Sequence, residues 1–258
     1  ALLLAILLLL IGTPLADSLK LLKASSQEIN LENGLTLSRG GGISDDVLGV
    51  KGPIHPSEEP VFKVRGAKGI SYLRVTAGET YTGGAWLAPK DTPQLVLPGA
   101  DLPLPSIRTA TDFTTSQVAV TPILPLGSGP VAVSLYATKP QGAKGFTFRP
   151  SRLALATQED LKNGYTWQAV IPVLRPEDLR KAKTVPSDAL LQLPNSLPQR
   201  VRDLAEQITQ GKPTDYDKLL AIIDFLRLGY TYDLDNAPTP PGRDAVDFFL
   251  FDDKRGVC

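Results

Sequence analysis

The chain has 258 residues, with 27 Lys and Arg balanced by 27 Asp and Glu, 42% hydrophobic residues and 21% charged ones. That length suits one large domain or two small ones, the composition is too apolar for wholesale disorder, and there is no basic surplus of the kind nucleic-acid binding needs. A single Cys excludes an internal disulfide and a single His excludes a His-rich zinc site. With 22 Gly and 23 Pro, the chain favours a loop-rich β structure over a helix bundle. Met is absent and the only Cys stands at the end, which reads as an internal piece of a longer protein.

Ala1 to Ile11 form an unbroken apolar run, shorter than the roughly 20 residues of a spanning helix. It can be the end of a truncated span, the apolar part of a signal peptide, or a core helix. A signal peptide should carry a basic stretch before the apolar one and a small residue where Pro14 stands. A core helix should show a polar face. The reading adopted is the end of a transmembrane helix over residues 1–16, although Lys20 and Lys23 beside it favour a cytoplasmic flank. Residues 17–59, with Gly40-Gly41-Gly42 and Gly52-Pro53, read as a linker, and His55 as a loop histidine within it.

Residues 60–184 carry strand signals and form a β-rich, sandwich-like module by this reading. Val61–Arg65, Ser71–Val75, Gln117–Val120, Pro130–Tyr136, Phe146–Phe148 and Tyr165–Ile171 are short β-prone runs, separated by turn pairs such as Lys68-Gly69, Gly83-Gly84 and Asn163-Gly164. Trp86 and Trp167 read as core or rim aromatics. No constellation in this module carries chemistry.

Residues 185–258 change to a helical period. Leu197, Val201, Leu204, Ala205 and Ile208 share one face, with Ser196 as the cap and Gly211 as the stop. Thr214-Asp215-Tyr216-Asp217 opens a second helix in the manner of a capping box. Tyr216, Leu219, Leu220, Ile223 and Leu226 form its apolar face, and Gly229 closes it. Tyr230–Leu234 alternates as a strand, 237–242 is a Pro-rich loop, and Asp244–Phe251 is a short aromatic helix or turn. Lys254 and Arg255 read as solvated, and Tyr230 and Tyr232 as core.

The succession Pro-Gln-Arg-Val-Arg, Gly-Lys-Pro-Thr-Asp-Tyr-Asp-Lys, Tyr-Thr-Tyr-Asp-Leu, Pro-Pro-Gly-Arg-Asp-Ala-Val-Asp-Phe-Phe-Leu-Phe and Lys-Arg-Gly-Val-Cys, spanning Ser196 to Cys258, closely resembles the approach to the catalytic cysteine in the transglutaminase-like superfamily. The bacterial membrane-embedded, TgpA-type members are the nearest resemblance. It implies an α+β fold, in which a truncated transmembrane helix and a β-rich module precede the N-terminal half of a papain-like, transglutaminase-like core. It makes Cys258 the nucleophile, at the start of the central helix, where the helix dipole lowers a thiol's pKa. The family's His and Asp lie downstream of the Cys, and His55 matches no family motif. Val257 stands where relatives usually carry an aromatic residue. Arg243 and Asp244 are expected to fix the loop before the catalytic helix.

The function this implies is a membrane-anchored, extracytoplasmic cysteine acyltransferase, located at the cell membrane with its soluble region outside the cytoplasm. Cys258 would form a thioester on a glutamine-like amide of a protein or peptide substrate, resolved by an amine or water. A cysteine peptidase or amidase of the same fold, and a non-catalytic scaffold that binds a partner at the membrane surface, are the alternatives. The 258 residues alone are expected to be inactive. No cofactor and no nucleic acid are implied. No Asp-x-Asp-x-Asp-Gly calcium loop occurs, and Asp252-Asp253 is too small a cluster for a metal.

Overall fold

The computed structural model of the chain describes residues 47–49, 59–103 and 112–257. The apolar start, most of the linker, His55 and Cys258 lie outside the described residues. Among the described residues no helix is long and apolar enough to cross a membrane.

The β-rich part is built from two four-stranded sheets. One has the order β2 (Phe62–Arg65), β6 (Asp112–Pro122), β11 (Tyr165–Val173) and β8 (Ala137–Gln141); the other has β5 (Gln94–Val96), β9 (Phe146–Arg149), β10 (Ala154–Thr157) and β7 (Gly129–Val131). Every recorded pairing within the two sheets is antiparallel. Alternation drives their packing: Tyr165, Trp167 and Ala169 of β11 and Phe146 and Phe148 of β9 point inward, with their neighbours half-buried. Val118 and Val120 from the first sheet meet Val131, Phe146, Phe148 and Leu155 from the second in one core around Trp167, which is fully buried. The expected sandwich-like arrangement is what the strands form.

Several strand boundaries differ from the sequence reading. The run Ser71–Val75 is no strand: it contributes one antiparallel bridge, Arg74 to Val133. The run Pro130–Tyr136 breaks as well, with β7 ending at Val131 and β8 starting only at Ala137. Pairing explains the break after Val131, because β7 holds its partner β10 over only three positions, Gly129 to Val131. In the other direction β11 runs on through Pro172, which lies beyond the stretch paired with β8, where β6 alone pairs with it among the described strands. Pro140 is likewise tolerated because β8 is an edge strand. At a register shift opposite Thr166 and Gln168, Lys139 takes φ +51°.

A smaller three-stranded sheet, in the order β1 (Val47–Gly49), β4 (Ala85–Leu87) and β3 (Thr80–Tyr81), sits apart from the sandwich strands in the pairing. Tyr81 and Trp86 of this hairpin belong to a second core with Leu197, Val201, Val246 and Leu250. Gly78 lets the hairpin close, since a Cβ there would stand 2.5 Å from the Trp86 Cβ.

Four helices of the C-terminal part precede the last turn: α1 (Pro176–Lys181), α2 (Asp188–Leu191), α3 (Gln199–Thr209) and α4 (Asp215–Gly229). α3 buries the expected face, with Leu197 and Val201 buried and Leu204, Ala205 and Ile208 half-buried. Ser196 does not cap it: Pro198 occupies the N-cap position and no side chain bonds there. Proline at this point needs no cap for its own missing N–H. α4 begins as expected, the Thr214 hydroxyl accepting from the Asp217 N–H at 3.1 Å. Its deepest residue is Ile222, at 1% exposure, while the expected Ile223 is half-buried. The most buried position of α4 is thus one residue earlier than the periodicity placed it. α1 is an unexpected helix, tied to α4 by Arg180 with Asp217 at 2.9 Å, and the segment after it adds Thr184 with Asp215.

Candidate active site

The last described turn carries the residues that lead to the candidate nucleophile. α5 (Ala245–Phe248) continues into a π turn, Phe249–Asp253, and then into β13 (Arg255–Gly256). Asp244 caps α5, its Oδ1 accepting from the N–H groups of Val246 and Asp247, each at 3.0 Å. Leu250 of the π turn is buried in the second core, and Phe249 packs against the same core while stacking on Tyr230 with ring centres 4.9 Å apart.

Asp247 carries the most deeply buried charge of this region, its side chain 3% exposed. Arg200 of α3 grips it with two bonds, Nε to Oδ1 at 2.5 Å and Nη2 to Oδ2 at 2.6 Å, and Arg243 adds Nη2 to Oδ2 at 2.9 Å. The Arg200 bonds hold the Asp247 carboxyl below the ordinary range, against the opposing effect of burial. Both arginines also reach Asp252, and Arg200 lies over the Phe251 ring at 4.3 Å. Four charges, two of each sign, therefore pin α3 to α5 and to the π turn.

β13 is fixed from the other side. It pairs in parallel with β12 (Thr231–Tyr232), Thr231 N–H donating to Lys254 O and Asp233 N–H to Gly256 O. Arg255 bonds Asp253 at 3.0 Å and Asp233 at 3.1 Å, so it is engaged in ion pairs rather than merely solvated as expected. Lys254 turns the chain with φ +56°. Gly256 packs on Phe249, where a Cβ would come within 3.1 Å of the ring. Tyr230 is half-buried and donates to Leu250 O at 2.9 Å, whereas Tyr232 is 53% exposed; the expectation of a buried tyrosine pair holds for Tyr230 and fails for Tyr232. Cys258, two residues past Gly256 in sequence, lies outside the described residues.

Of the residues that the sequence singled out, Arg243 and Asp244 do fix the loop before the final turn. The sequence reading missed Asp247, Arg200 and Tyr81. The Tyr81 hydroxyl lies 2.9 Å from Gly83 O and 3.0 Å from Asp244 Oδ1, and accepts from the Val246 N–H at 3.2 Å. Burial, and then the Asp244 carboxylate, push this hydroxyl far above the ordinary tyrosine range, so it stays protonated. A pair of aspartates around two apolar residues, as in Asp244-Ala-Val-Asp247, signals a capped helix but carries no mark of a partner 163 residues away.

Among the described residues no group of three or more His, Cys, Asp or Glu could hold a metal ion. An open cleft of about 570 Å³ lies at the start of α4, lined by Arg180, Lys212, Thr214 and Asp217 among others. It shares no lining residue with the segment leading to Cys258.

Comparison with known proteins places this segment. Residues 202–258 match the model of the transglutaminase-like superfamily. The uncharacterized protein YebA of Bacillus subtilis (strain 168) is 32% identical over 242 residues, an alignment that takes in 85% of this chain and 32% of YebA. The chain thus spans about a third of that relative's length. The crystal structure of the periplasmic domain of TgpA from Pseudomonas aeruginosa, bound to ethylmercury, is similar with a TM-score of 0.49 and 18% identity, covering 78% of this chain and 68% of that one. Residues 202–258, from α3 to the cysteine, belong to the transglutaminase-like superfamily.

Proposed function

We propose that this chain supplies the nucleophile of a membrane-anchored, extracytoplasmic cysteine acyltransferase of transglutaminase type. The observation that carries the reading is the family match, which runs from residue 202 to the only cysteine of the chain. The apolar run Ala1–Ile11 supports an anchor ahead of the β-rich part.

In this reading the Cys258 thiolate attacks the carbonyl carbon of a glutamine-like amide. A C–S bond forms, the C–N bond breaks, and the nitrogen leaves as ammonia with a proton from a neighbouring acid. An incoming amine then attacks the thioester carbonyl, forming the new amide as the C–S bond breaks and the thiol returns. Water in place of the amine gives deamidation, an amidase activity; with a backbone amide as the acyl donor, the C–N bond broken is the peptide bond, its amine half leaves, and water resolves the thioester as in a peptidase. The acid–base partner is the family's downstream His, oriented by its Asp. His55 matches no family motif, so the 258 residues alone are expected to show no turnover. The substrate is a protein or peptide with an accessible glutamine-like side chain.

The test is Cys258→Ser in the full-length protein, measured by ammonia release from a glutamine-containing peptide and by incorporation of a fluorescent primary amine. Loss of both activities with an unchanged thermal transition is the expected result. Retained turnover would refute the nucleophile assignment. A wild-type protein with no turnover, whose thiol alkylates at the rate of a free cysteine, would leave the scaffold reading in its place.

A further inference from the structure

The first turn of α5 is capped jointly by its own Asp244 and by a hairpin from the other end of the described chain. Helix starts leave their first N–H groups without intrahelical partners. Here the Ala245 N–H donates to Gly83 O at 2.6 Å, and the Val246 N–H has both Asp244 Oδ1 and the Tyr81 hydroxyl oxygen within reach. Asp247 N–H goes to Asp244 Oδ1. Tyr81 itself is 1% exposed and braced by Trp86, ring centres 5.1 Å apart, so its hydroxyl has little freedom to move. Gly83 has φ +95°, and a Cβ on it would stand 3.3 Å from Asp244 Oδ2. The turn between β3 and β4 is therefore shaped to meet this one helix start. Tyr81 and Gly83 both lie outside the residues that match the family.

We infer that the β3–β4 hairpin is a positioning element for the catalytic segment, with Tyr81 as the positioning residue. Its hydroxyl fixes Asp244 and the Val246 N–H, and thereby the entry of the chain that continues through the π turn and β13 to Cys258. Tyr81 touches no reacting atom in this scheme; it acts through Asp244. The inference rests on the reading of Cys258 as the nucleophile.

The experiment uses the full-length protein and follows Cys258 alkylation by iodoacetamide as a function of pH, at temperatures where every variant is folded. Tyr81→Phe keeps the ring against Trp86 and removes only the hydroxyl. Its reactivity profile is expected to move to higher pH by about one pH unit, which slows alkylation at neutral pH about tenfold. The kcat for amine incorporation is expected to fall with KM unchanged. Leu155→Val, in the sandwich core rather than the hairpin's core, serves as the control for general destabilisation. If Tyr81→Phe and Leu155→Val both leave the folded-state profile unmoved while lowering the thermal transition, the hairpin is structural only and the inference fails alone. If the wild-type thiol shows no enhanced reactivity, the nucleophile reading fails and this inference with it. Should Tyr81→Phe not fold, Gly83→Ala, which strains the turn at φ +95° and crowds the Asp244 carboxylate, is read by the same profile.

Discussion

Trp167→Ala is expected to destabilise the protein by about 4 kcal/mol, within the range seen when a buried large aromatic side chain is truncated. Trp167 is fully buried at the centre of the sandwich, stacked on Tyr165 with ring centres 5.7 Å apart. Its indole N–H donates to Ser134 Oγ at 2.9 Å. Alanine removes the ring, opens a cavity between the sheets and leaves a buried serine hydroxyl without its donor. Trp167→Phe should cost roughly half as much, because most of the apolar volume returns and only the N–H bond is lost. Urea titrations of the three proteins, with tryptophan-independent circular dichroism as the signal, would check the order. Equal midpoints for wild type and Trp167→Ala would mean that the two sheets do not share one packed core.

The second large effect is expected at Asp247. Asp247→Ala should cost about 2 kcal/mol, the range for hydrogen bonds to a charged group. The fuller penalty of breaking a buried pair does not apply, because Arg200 and Arg243 have side chains 47% and 39% exposed and can turn to water. The pH dependence follows from the direction in which the carboxyl is displaced. Arg200 holds the folded-state carboxyl below its ordinary value. The pair therefore contributes its full stability above the unfolded carboxyl's pKa, about 4, and loses it as pH falls through the depressed folded value. Wild type should thus lose more stability than Asp247→Asn between pH 5 and the acid limb, by about that difference in proton uptake. Thermal transitions of both proteins across that range would decide it, and parallel curves would place the acid sensitivity elsewhere, for example at Asp91, Asp215 and Asp217, whose carboxyls are held low by other partners.

Local patterns told the truth where an element depends on its own residues. The apolar face of α3, the Thr214 cap of α4 and the alternation of β9 and β11 all read directly from spacing. Patterns failed where a partner decides. Ser71–Val75 has strand residues but meets its neighbour at a single bridge, while Ala137–Gln141, with a proline inside, pairs because it lies at an edge. At the candidate site the same division holds. Arg243 and Asp244 were legible because they sit in one short run with a family pattern. Arg200 and Tyr81 were not, because their value comes from contacts 47 and 163 residues distant in sequence, which no local periodicity encodes.

The shared core of Tyr81, Trp86, Val201 and Leu250 also bears on the order in which the chain can mature. Emerging N-terminus first at the surface where it folds, the protein presents its sandwich strands early, and these can close on one another once Val173, the end of β11, is out. The hairpin cannot settle fully then, because Val246 and Leu250, which share its core, are among the last described residues to be made. Throughout that interval a tyrosine and a tryptophan stand uncovered, waiting for a helix start that has not yet emerged. Loop closure over so long a separation is slow compared with local pairing. A nascent chain paused before Asp244 should therefore expose an aromatic patch that the finished one hides, a natural place for a chaperone to hold it.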